Sequence, residues 1–411
     1  MAGRNPFVII GSGQAGGWAA QTLRQEGHDQ AIVLIGDEPH PPYERPPLSK
    51  SVLVGAAPPE STHLFPAAAW EKVGVEHLSG TTAAAIEPQD HRVRLSDGRS
   101  IPYQRLLLAT GGRPRKLAVP GADLPGIYYL RTIGDSLSLA AELRSSGRLL
   151  VIGGGWIGLE VAAAARKRDM DVILVEATSQ LCGRALAGDL AGHLERLHRD
   201  HGVDIRLNCA VARFEGKLRV ERAWLTDGER VDVSAAAVGI GIAPNSELAS
   251  QSGLATENGI IVDDYGRTSD PNIFAAGDVT NHPNALAGRR IRLESWENAQ
   301  NQAILVAKAM LGKAQAPYAE VPWFWSDQYD TNIQLVGLPS AWDRMVARGD
   351  PAAGSFLVCY FKGGWLDGAV GINSGRDVKL VRRLMQTGIP VDPDRIRDPS
   401  VRLQDLLKAG R

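Results

Sequence analysis

Four short stretches of unbroken apolar residues punctuate the chain: Phe7-Val8-Ile9-Ile10, Ile32-Val33-Leu34-Ile35, Leu149-Leu150-Val151-Ile152 and Val172-Ile173-Leu174-Val175. Runs this short with no polar position predict strands buried on both faces, as in a parallel sheet covered by helices. The first and third runs each break into a glycine-rich turn, Gly11-Ser12-Gly13-Gln14-Ala15-Gly16 and Gly153-Gly154-Gly155-Trp156-Ile157-Gly158. Helical spacing of apolar positions then predicts a helix to about Arg24 and another from Leu159 to Lys167. Further on, Leu106-Leu107-Leu108 ends in the small residues Ala109-Thr110-Gly111-Gly112, and Ala299 to Leu311 has the pattern of an amphipathic helix. From about 326 onward the pattern changes: Ile333-Gln334-Leu335-Val336 and Phe356-Leu357-Val358-Cys359-Tyr360 predict strands, with helices near 376–386 and 403–409.

The repeat of strand, glycine turn, helix and strand carries chemistry. In a G-x-G-x-x-G turn the first glycine permits a tight bend and the second lets backbone amides approach a pyrophosphate. The third lets helix and strand pack closely, and an acid after the second strand accepts ribose hydroxyls. Here the first site offers Gly11, Gly13, Gly16 and the acids Asp37 and Glu38; the second offers Gly153, Gly155, Gly158 and Glu176. Two dinucleotides on two Rossmann-like units are therefore expected. Glu176 would repel a 2′-phosphate, favouring NADH at the second site, although Arg184, eight residues on, leaves NADPH open. Two nicotinamides would have no chemistry together, whereas FAD at the first site would accept the hydride that NADH delivers.

Composition narrows this further. A net charge of −1 argues against nucleic-acid binding, which needs a basic surface. No signal peptide or membrane span is apparent, because the apolar region 149–165 contains Glu160 and several glycines. Glycine, 45 of 411 residues, is enriched, and the two turns and their supporting bends account for part of that. Cys182, Cys209 and Cys359 are scattered, so a disulfide framework is excluded and a cytoplasmic protein is expected. No two of them form the closely spaced pair that flavin-linked disulfide reductases use, so a flavin here must pass its electrons outside the protein. No metal site is expected.

Gly36-Asp37-Glu38 with Pro46-Pro47-Leu48-Ser49-Lys50, the segment from Ile152 to Glu160, Thr268 to Asp278 (TSDPNIFAAGD) and Pro322-Trp323-Phe324-Trp325-Ser326-Asp327-Gln328 together carry a sharper likeness. Over nearly its whole length the chain resembles the FAD-dependent NADH:ferredoxin reductases of bacterial oxygenase systems, with rubredoxin reductases more distant. The resemblance implies an α/β, glutathione-reductase-like flavoprotein with two Rossmann-like domains and a smaller C-terminal α+β domain. Its implied FAD domain is discontinuous, 1–115 and 247–325, with an NAD domain at 116–246 and a C-terminal domain at 326–411.

Carried onto this sequence, the resemblance implies FAD contacts at Ala15, Asp37, Arg45, Lys50, Ala83, Ala109, Thr110, Gly111, Arg131, Gly277, Asp278 and Trp296, with Trp323 and Trp325 near the flavin. It implies NADH contacts at Gly155, Trp156, Ile157, Glu160, Glu176 and Arg184, and a further cofactor contact at Gly239. Trp156 departs from the smaller residues expected in that turn. Lys50 and Glu160, charged residues in otherwise apolar or proline-rich surroundings, are implied to pair beside the flavin, where Lys50 would support the negative charge of its reduced form. The helix after Ser295 is implied to aim unpaired amides at the flavin.

The implied activity takes a hydride from NADH and passes single electrons to an iron–sulfur ferredoxin of the 2Fe–2S kind, feeding a ring-hydroxylating dioxygenase or a cytochrome P450 in aromatic hydrocarbon catabolism. A monomer or weak homodimer is implied. Ferredoxins are acidic, so a basic dock is expected, either at Arg289, Arg290 and Arg292 or on the C-terminal helix with Arg376, Lys379, Arg382 and Arg383. Two other readings stay open: a peroxide-forming NADH oxidase, and an NADH-sensing flavoprotein of the apoptosis-inducing-factor type.

Overall fold

The computed structural model describes residues 5–143, 147–183, 185–339 and 341–408. The chain divides into two compact units: 1–44, 62–113 and 244–324 form one, and 45–61, 114–243 and 325–411 the other.

The first unit is built on a five-stranded parallel sheet in the order Ile273–Ala275, Arg105–Leu108, Phe7–Ile10, Ile32–Ile35, Glu76–Leu78. Alternate residues of the apolar runs serve opposite faces. Ile9, Leu34 and Leu107 pack against helix Gln14–Gln25 and helix Trp296–Met310, where Ala19, Ala20, Ala303 and Ala307 are small enough to let the two helices approach the sheet. Val8, Ile10, Val33 and Ile35 face the opposite way, against Ile86, Val93 and Leu95 of a three-stranded antiparallel meander, Ala83–Glu87, Arg92–Leu95 and Ser100–Pro102. Two-sided burial is what the absence of polar positions requires.

The second unit repeats this plan. Its parallel sheet runs Val203–Leu207, Asp171–Glu176, Arg148–Ile152, Ala235–Val238, Ile127–Tyr129. Leu149, Val151, Val172 and Leu174 pack on helix Trp156–Arg166. Leu150, Ile152, Ile173 and Val175 pack on a second meander, Val211–Glu215, Arg222–Leu225 and Arg230–Asp232. The C-terminal residues add a five-stranded sheet, ordered Trp323–Gln328, Thr331–Gly337, Trp365–Ile372, Ser355–Lys362, Arg344–Asp350. Its Ile333, Phe356, Val358 and Ile372 join the apolar cluster that contains Leu149 and Leu174. Helix Gly375–Thr387 closes one face through Val378, Val381 and Leu384.

Three departures from expectation have physical causes. The helix expected from Leu159 begins at Trp156, and the one expected from Ala299 begins at Trp296. Both first turns contain residues whose apolar spacing is set by a turn or cap rather than by a buried helical face. The two meanders have no apolar runs of their own, since no strand in them buries two adjacent residues. Among the described residues no helix is long and apolar enough to cross a membrane.

Candidate functional site

Both glycine turns have the same backbone logic. Gly11 and Gly153 take φ of 108° and 101°, conformations that L side chains rarely adopt. A β-carbon on Gly11 would lie 2.2 Å from Ala109 O, and one on Gly153 2.5 Å from Gly239 O. At the third fingerprint position the clash is with the turn itself: 1.9 Å from Gly16 to Gly11 O, and 2.0 Å from Gly158 to Gly153 O. Ala109 and Gly239 thus stand in matching places, each donating its amide to the first strand, at Ile10 O and Ile152 O. Gly239 packs against the fingerprint, with Gly158 N 3.2 Å from where its β-carbon would be.

The helices that follow are open at their starts. Gly13 and Gly155 are the N-cap residues, neither supplies a side-chain cap, and neither first turn holds an acid. The first amides therefore have no side-chain partner in the cap, and the helix end favours an anion. At Gly155 a β-carbon would meet nothing nearer than Gly239 O at 4.0 Å. Donors around an open glycine fit a pyrophosphate. Trp156 begins the second helix half-buried, its indole packed against the unit's apolar core, and Ile157 is 44% exposed beside it.

The acids differ. Asp37 is exposed at the end of the second strand of its sheet, while Glu38 accepts a hydrogen bond from the Tyr43 hydroxyl at 2.6 Å. Glu176 folds back on its own loop: Oε2 accepts from Gly154 N at 2.7 Å, and Oε1 from Thr178 N and Oγ1 at 2.9 and 2.7 Å. Arg184 lies outside the described residues.

In the first unit, the strand ending Ala109-Thr110-Gly111 is clasped by Asn245. Its side-chain amide donates to Thr110 O, its backbone carbonyl accepts from Thr110 Oγ1, and its backbone amide donates to Gly111 O. Gly277 has φ of 85°, and its missing β-carbon would lie 3.0 Å from the Ala15 methyl. Its amide donates to the buried Gln302 Oε1 at 2.8 Å, which fixes the turn that presents Asp278. Ala83 begins the first meander strand. Trp296 is half-buried and accepts from Gln14 Nε2 through its carbonyl. Burial raises the Glu44 carboxyl above its ordinary pKa, a rise the Trp296 indole opposes. The Trp323 carbonyl accepts from Ser295 Oγ at 3.3 Å. Ser295 also caps the Trp296 helix by accepting from Asn298 N at 3.1 Å, so the expected row of unpaired amides is corrected at that position. Asn245 and Gln302 have no motif that could have announced them.

In the second unit, Lys50 Nζ and Glu160 Oε1 meet at 2.8 Å, with the two side chains 19% and 2% exposed. Glu160 also accepts from Ser49 Oγ at 2.5 Å and from Ser326 Oγ at 2.6 Å. A buried carboxylate needs such partners, since an unpaired charge would cost several kcal/mol of desolvation. The Trp325 ring centroid is 5.9 Å from Lys50 Nζ. Ser136 Oγ donates to Leu48 O, tying the PPLSK turn to helix Ile133–Glu142. Arg45 Nη1 donates to Arg131 O in the same neighbourhood.

All three cysteines are buried and none is in a disulfide. Burial pushes the Cys359 thiol up to about 12, and raises that of Cys209. Neither favours the thiolate that exchange chemistry needs. Of the two basic clusters, the 289–292 segment is largely committed. Arg290 Nη2 donates to Val262 O and Asn281 O, and Arg292 pairs with Glu294. On helix Gly375–Thr387, Arg376, Lys379 and Arg383 are exposed at helical spacing, and Arg382 is half-buried.

Known proteins match nearly the whole chain. Residues 5–303 match the pyridine nucleotide-disulphide oxidoreductase family and 323–407 the reductase C-terminal family. Rhodocoxin reductase of Rhodococcus erythropolis is 42% identical, over 95% of this chain and 92% of its own. The ferredoxin–NAD(+) reductase component of the anthranilate 1,2-dioxygenase system of Burkholderia cepacia is 41% identical, over 98% and 99%. The crystal structure of a covalent putidaredoxin reductase–putidaredoxin complex matches with a TM-score of 0.96 at 38% identity, covering 99% of both chains.

Proposed function

The chain belongs to the pyridine nucleotide-disulphide oxidoreductase family, among its ferredoxin–NAD(+) reductases, and from that membership we propose that it is an FAD enzyme that oxidises NADH and reduces an iron–sulfur ferredoxin serving an oxygenase. Flavin, when bound, supplies the switch from a hydride taken whole to electrons released singly. The ferredoxin reading is carried by the likeness to ferredoxin–NAD(+) reductases, and the state of the thiols supports it. A family named for disulphide chemistry here has three separate buried cysteines and no dithiol, so electrons must leave for an outside acceptor.

We assign FAD to 1–115 with 247–325, NADH to 116–246, and acceptor docking to the C-terminal 326–411. The amides at Gly13 and Gly155 bind the two pyrophosphates, and Asp37 and Glu176 accept the ribose hydroxyls. Lys50 would serve the bound flavin as a fixed ammonium, and Glu160, paired to it at 2.8 Å, would hold it there. The Arg376, Lys379 and Arg383 ridge receives an acidic ferredoxin, raising the association rate more than the affinity. Thiols outside any disulfide suit a cytoplasmic setting.

The test is anaerobic reduction by NADH followed by cytochrome c reduction with and without an added 2Fe–2S ferredoxin. Strong dependence on the ferredoxin is expected. Rapid oxygen consumption without it would mark an oxidase, and a persistent NADH–flavin charge-transfer band with negligible turnover a sensor.

A further inference from the structure

A buried polar column leads away from the Lys50–Glu160 pair, and its far members have no place in the chemistry above. Ser326 Oγ donates to Glu160 Oε1 at 2.6 Å, and Gln328 Nε2 donates to Ser326 Oγ at 3.0 Å. Gln328 Oε1 then meets His198 Nε2 at 2.9 Å, and His198 Nδ1 meets the Tyr329 hydroxyl at 3.3 Å. Ser326, Gln328 and His198 are wholly shielded from solvent.

The directions of these bonds follow from what each group can do. A carboxylate ion-paired to Lys50 only accepts, so Ser326 donates to it. Ser326 Oγ then accepts from the Gln328 amide nitrogen, which turns the Gln328 carbonyl toward His198. A carbonyl only accepts, so His198 carries its proton on Nε2 and leaves Nδ1 to accept from Tyr329. Burial keeps that ring neutral, its pKa lowered to about 4. Every donor in the column therefore points toward Glu160, and aligned bonds in a low-dielectric interior strengthen one another. An amide does not relay protons without tautomerising, so the column is a fixed string of dipoles rather than a proton path.

Resting on the reading that Lys50 and Glu160 serve the flavin, we propose that Gln328 and His198 are positioning residues that lock Glu160 as an acceptor and so hold the Lys50 ammonium in place. The requirement is strict because the Glu160 side chain has almost no water to replace a lost donor.

The test uses the FAD-loaded enzyme. Gln328→Glu keeps the shape but exchanges the amide donor for a carboxylate, so Ser326 turns its proton away from Glu160 and His198 gains a second proton. Nitrogen-15 NMR at neutral pH is expected to show a singly protonated His198 ring, with its proton on Nε2, in the parent and a doubly protonated ring in the variant. Anaerobic stopped-flow is expected to show a limiting rate of flavin reduction about tenfold lower, with the NADH dissociation constant unchanged, the signature of an interaction that acts on the chemical step. Ser326→Ala, which removes one donor without adding charge, covers the case in which Gln328→Glu does not fold, and is expected to lower the same rate roughly threefold. Parental limiting rates in these variants overturn the proposal, as does an unchanged His198 signal in Gln328→Glu. Lys50→Met, run alongside, separates the two failures. If it slows reduction while the column variants do not, the positioning role falls and the reading of the pair stands; if it reduces at the parental rate, both fall.

Discussion

The two dinucleotide turns differ in one exchange of bulk. Ile10 pairs with Ile35 and Ile152 with Val175, so Ser12 stands where Gly154 does, and Gly36 where Glu176 does. In the first turn the side chain between loop and strand comes from the loop: a β-carbon on Gly36 would lie 1.8 Å from Ser12 Oγ. In the second, a β-carbon on Gly154 would meet Leu181 Cδ2 at 2.5 Å and then Glu176 Cβ of the strand at 3.2 Å, and the Glu176 carboxylate accepts the Gly154 amide. The acid of the first site is displaced by one residue to Asp37, exposed and available to a ligand. The acid of the second site is a strut. A loop braced by its own protein is already shaped when its ligand arrives, which on the assignment proposed above would suit an exchanging nicotinamide, while a retained flavin would complete its own loop.

The largest effects are expected at the third fingerprint glycines, where both turns are equally intolerant. Gly16→Ala and Gly158→Ala each set a methyl about 2 Å from a carbonyl oxygen, which the backbone cannot yield without opening the turn. Gly16→Ala is expected to purify without flavin. Gly158→Ala is expected to retain flavin, seen in its visible spectrum, with an NADH KM raised at least about tenfold, roughly 1.4 kcal/mol. Loss of flavin from both variants, or NADH binding unchanged in the second, would break the assignment of one nucleotide to each turn.

Each unit also buries one neutral imidazole, and the two are held differently. His198 has partners at both nitrogens, whereas His282 Nε2 has none among the described residues. Burial lowers each pKa to about 4; Arg290 adds to the effect at His282, and His201 at His198, where the Gln328 bond opposes it. An unfolded imidazole binds its proton near pH 6.5, so the unfolded state takes up more protons between there and pH 4. Stability is therefore complete above pH 6.5 and falls as the pH drops toward 4, by about 2 kcal/mol per histidine at pH 5. Urea melts at pH 7.5 and 5 are expected to show His282→Gln losing acid sensitivity with little loss at pH 7.5. His198→Leu, which has no donor for the Gln328 carbonyl, is expected to lose stability at both pH values, because it leaves that buried acceptor unpaired.

These contrasts explain what the sequence could and could not disclose. The parallel strands and both turns were legible because unbroken apolar runs and φ-positive glycines are local demands, satisfied within a few residues. Lys50 and Glu160 stood out as charges in apolar or proline-rich company. Ser49, Ser326 and His198 did not, because their meaning lies in contacts across more than a hundred residues of chain. Asn245 was invisible for the same reason, whereas Gln302 reaches only 25 residues back to Gly277 and went unseen because no motif marks that pairing. Density along the chain at 289–292 likewise says nothing of the backbone carbonyls of Val262 and Asn281 that Arg290 reaches.

Glu176 is expected to give the next smaller effect. Glu176→Ala removes the acceptor of Gly154 N and both Thr178 donors, but water can replace part of that at the loop surface. The NADH KM is expected to rise by about tenfold, about 1.4 kcal/mol, and the preference for NADH over NADPH to shrink, since the repulsion of a 2′-phosphate goes with the carboxylate. Steady-state kinetics with both nucleotides measure the two effects. An unchanged NADH:NADPH ratio would leave Glu176 as a strut alone.

The smallest expected effect is a coupling between two changes, and it addresses the exchange of bulk directly. Ser12→Gly removes one small hydroxymethyl group that is 9% exposed, and is expected to cost no more than about 1 kcal/mol. Gly36→Ala alone forces its methyl into Ser12 and is expected to cost about 1–3 kcal/mol, as overpacking does. Position 36 has no positive φ, so the penalty is one of space and not of backbone strain. Joined with Ser12→Gly, the same methyl enters the vacated volume, and the pair is expected to recover about 1 kcal/mol relative to the sum of the single changes. Thermal melts of the four proteins complete the cycle. Additive costs would mean that the loop and strand relax independently at this point, and that the bulk at 12 and 36 is not one shared space as it is at 154 and 176.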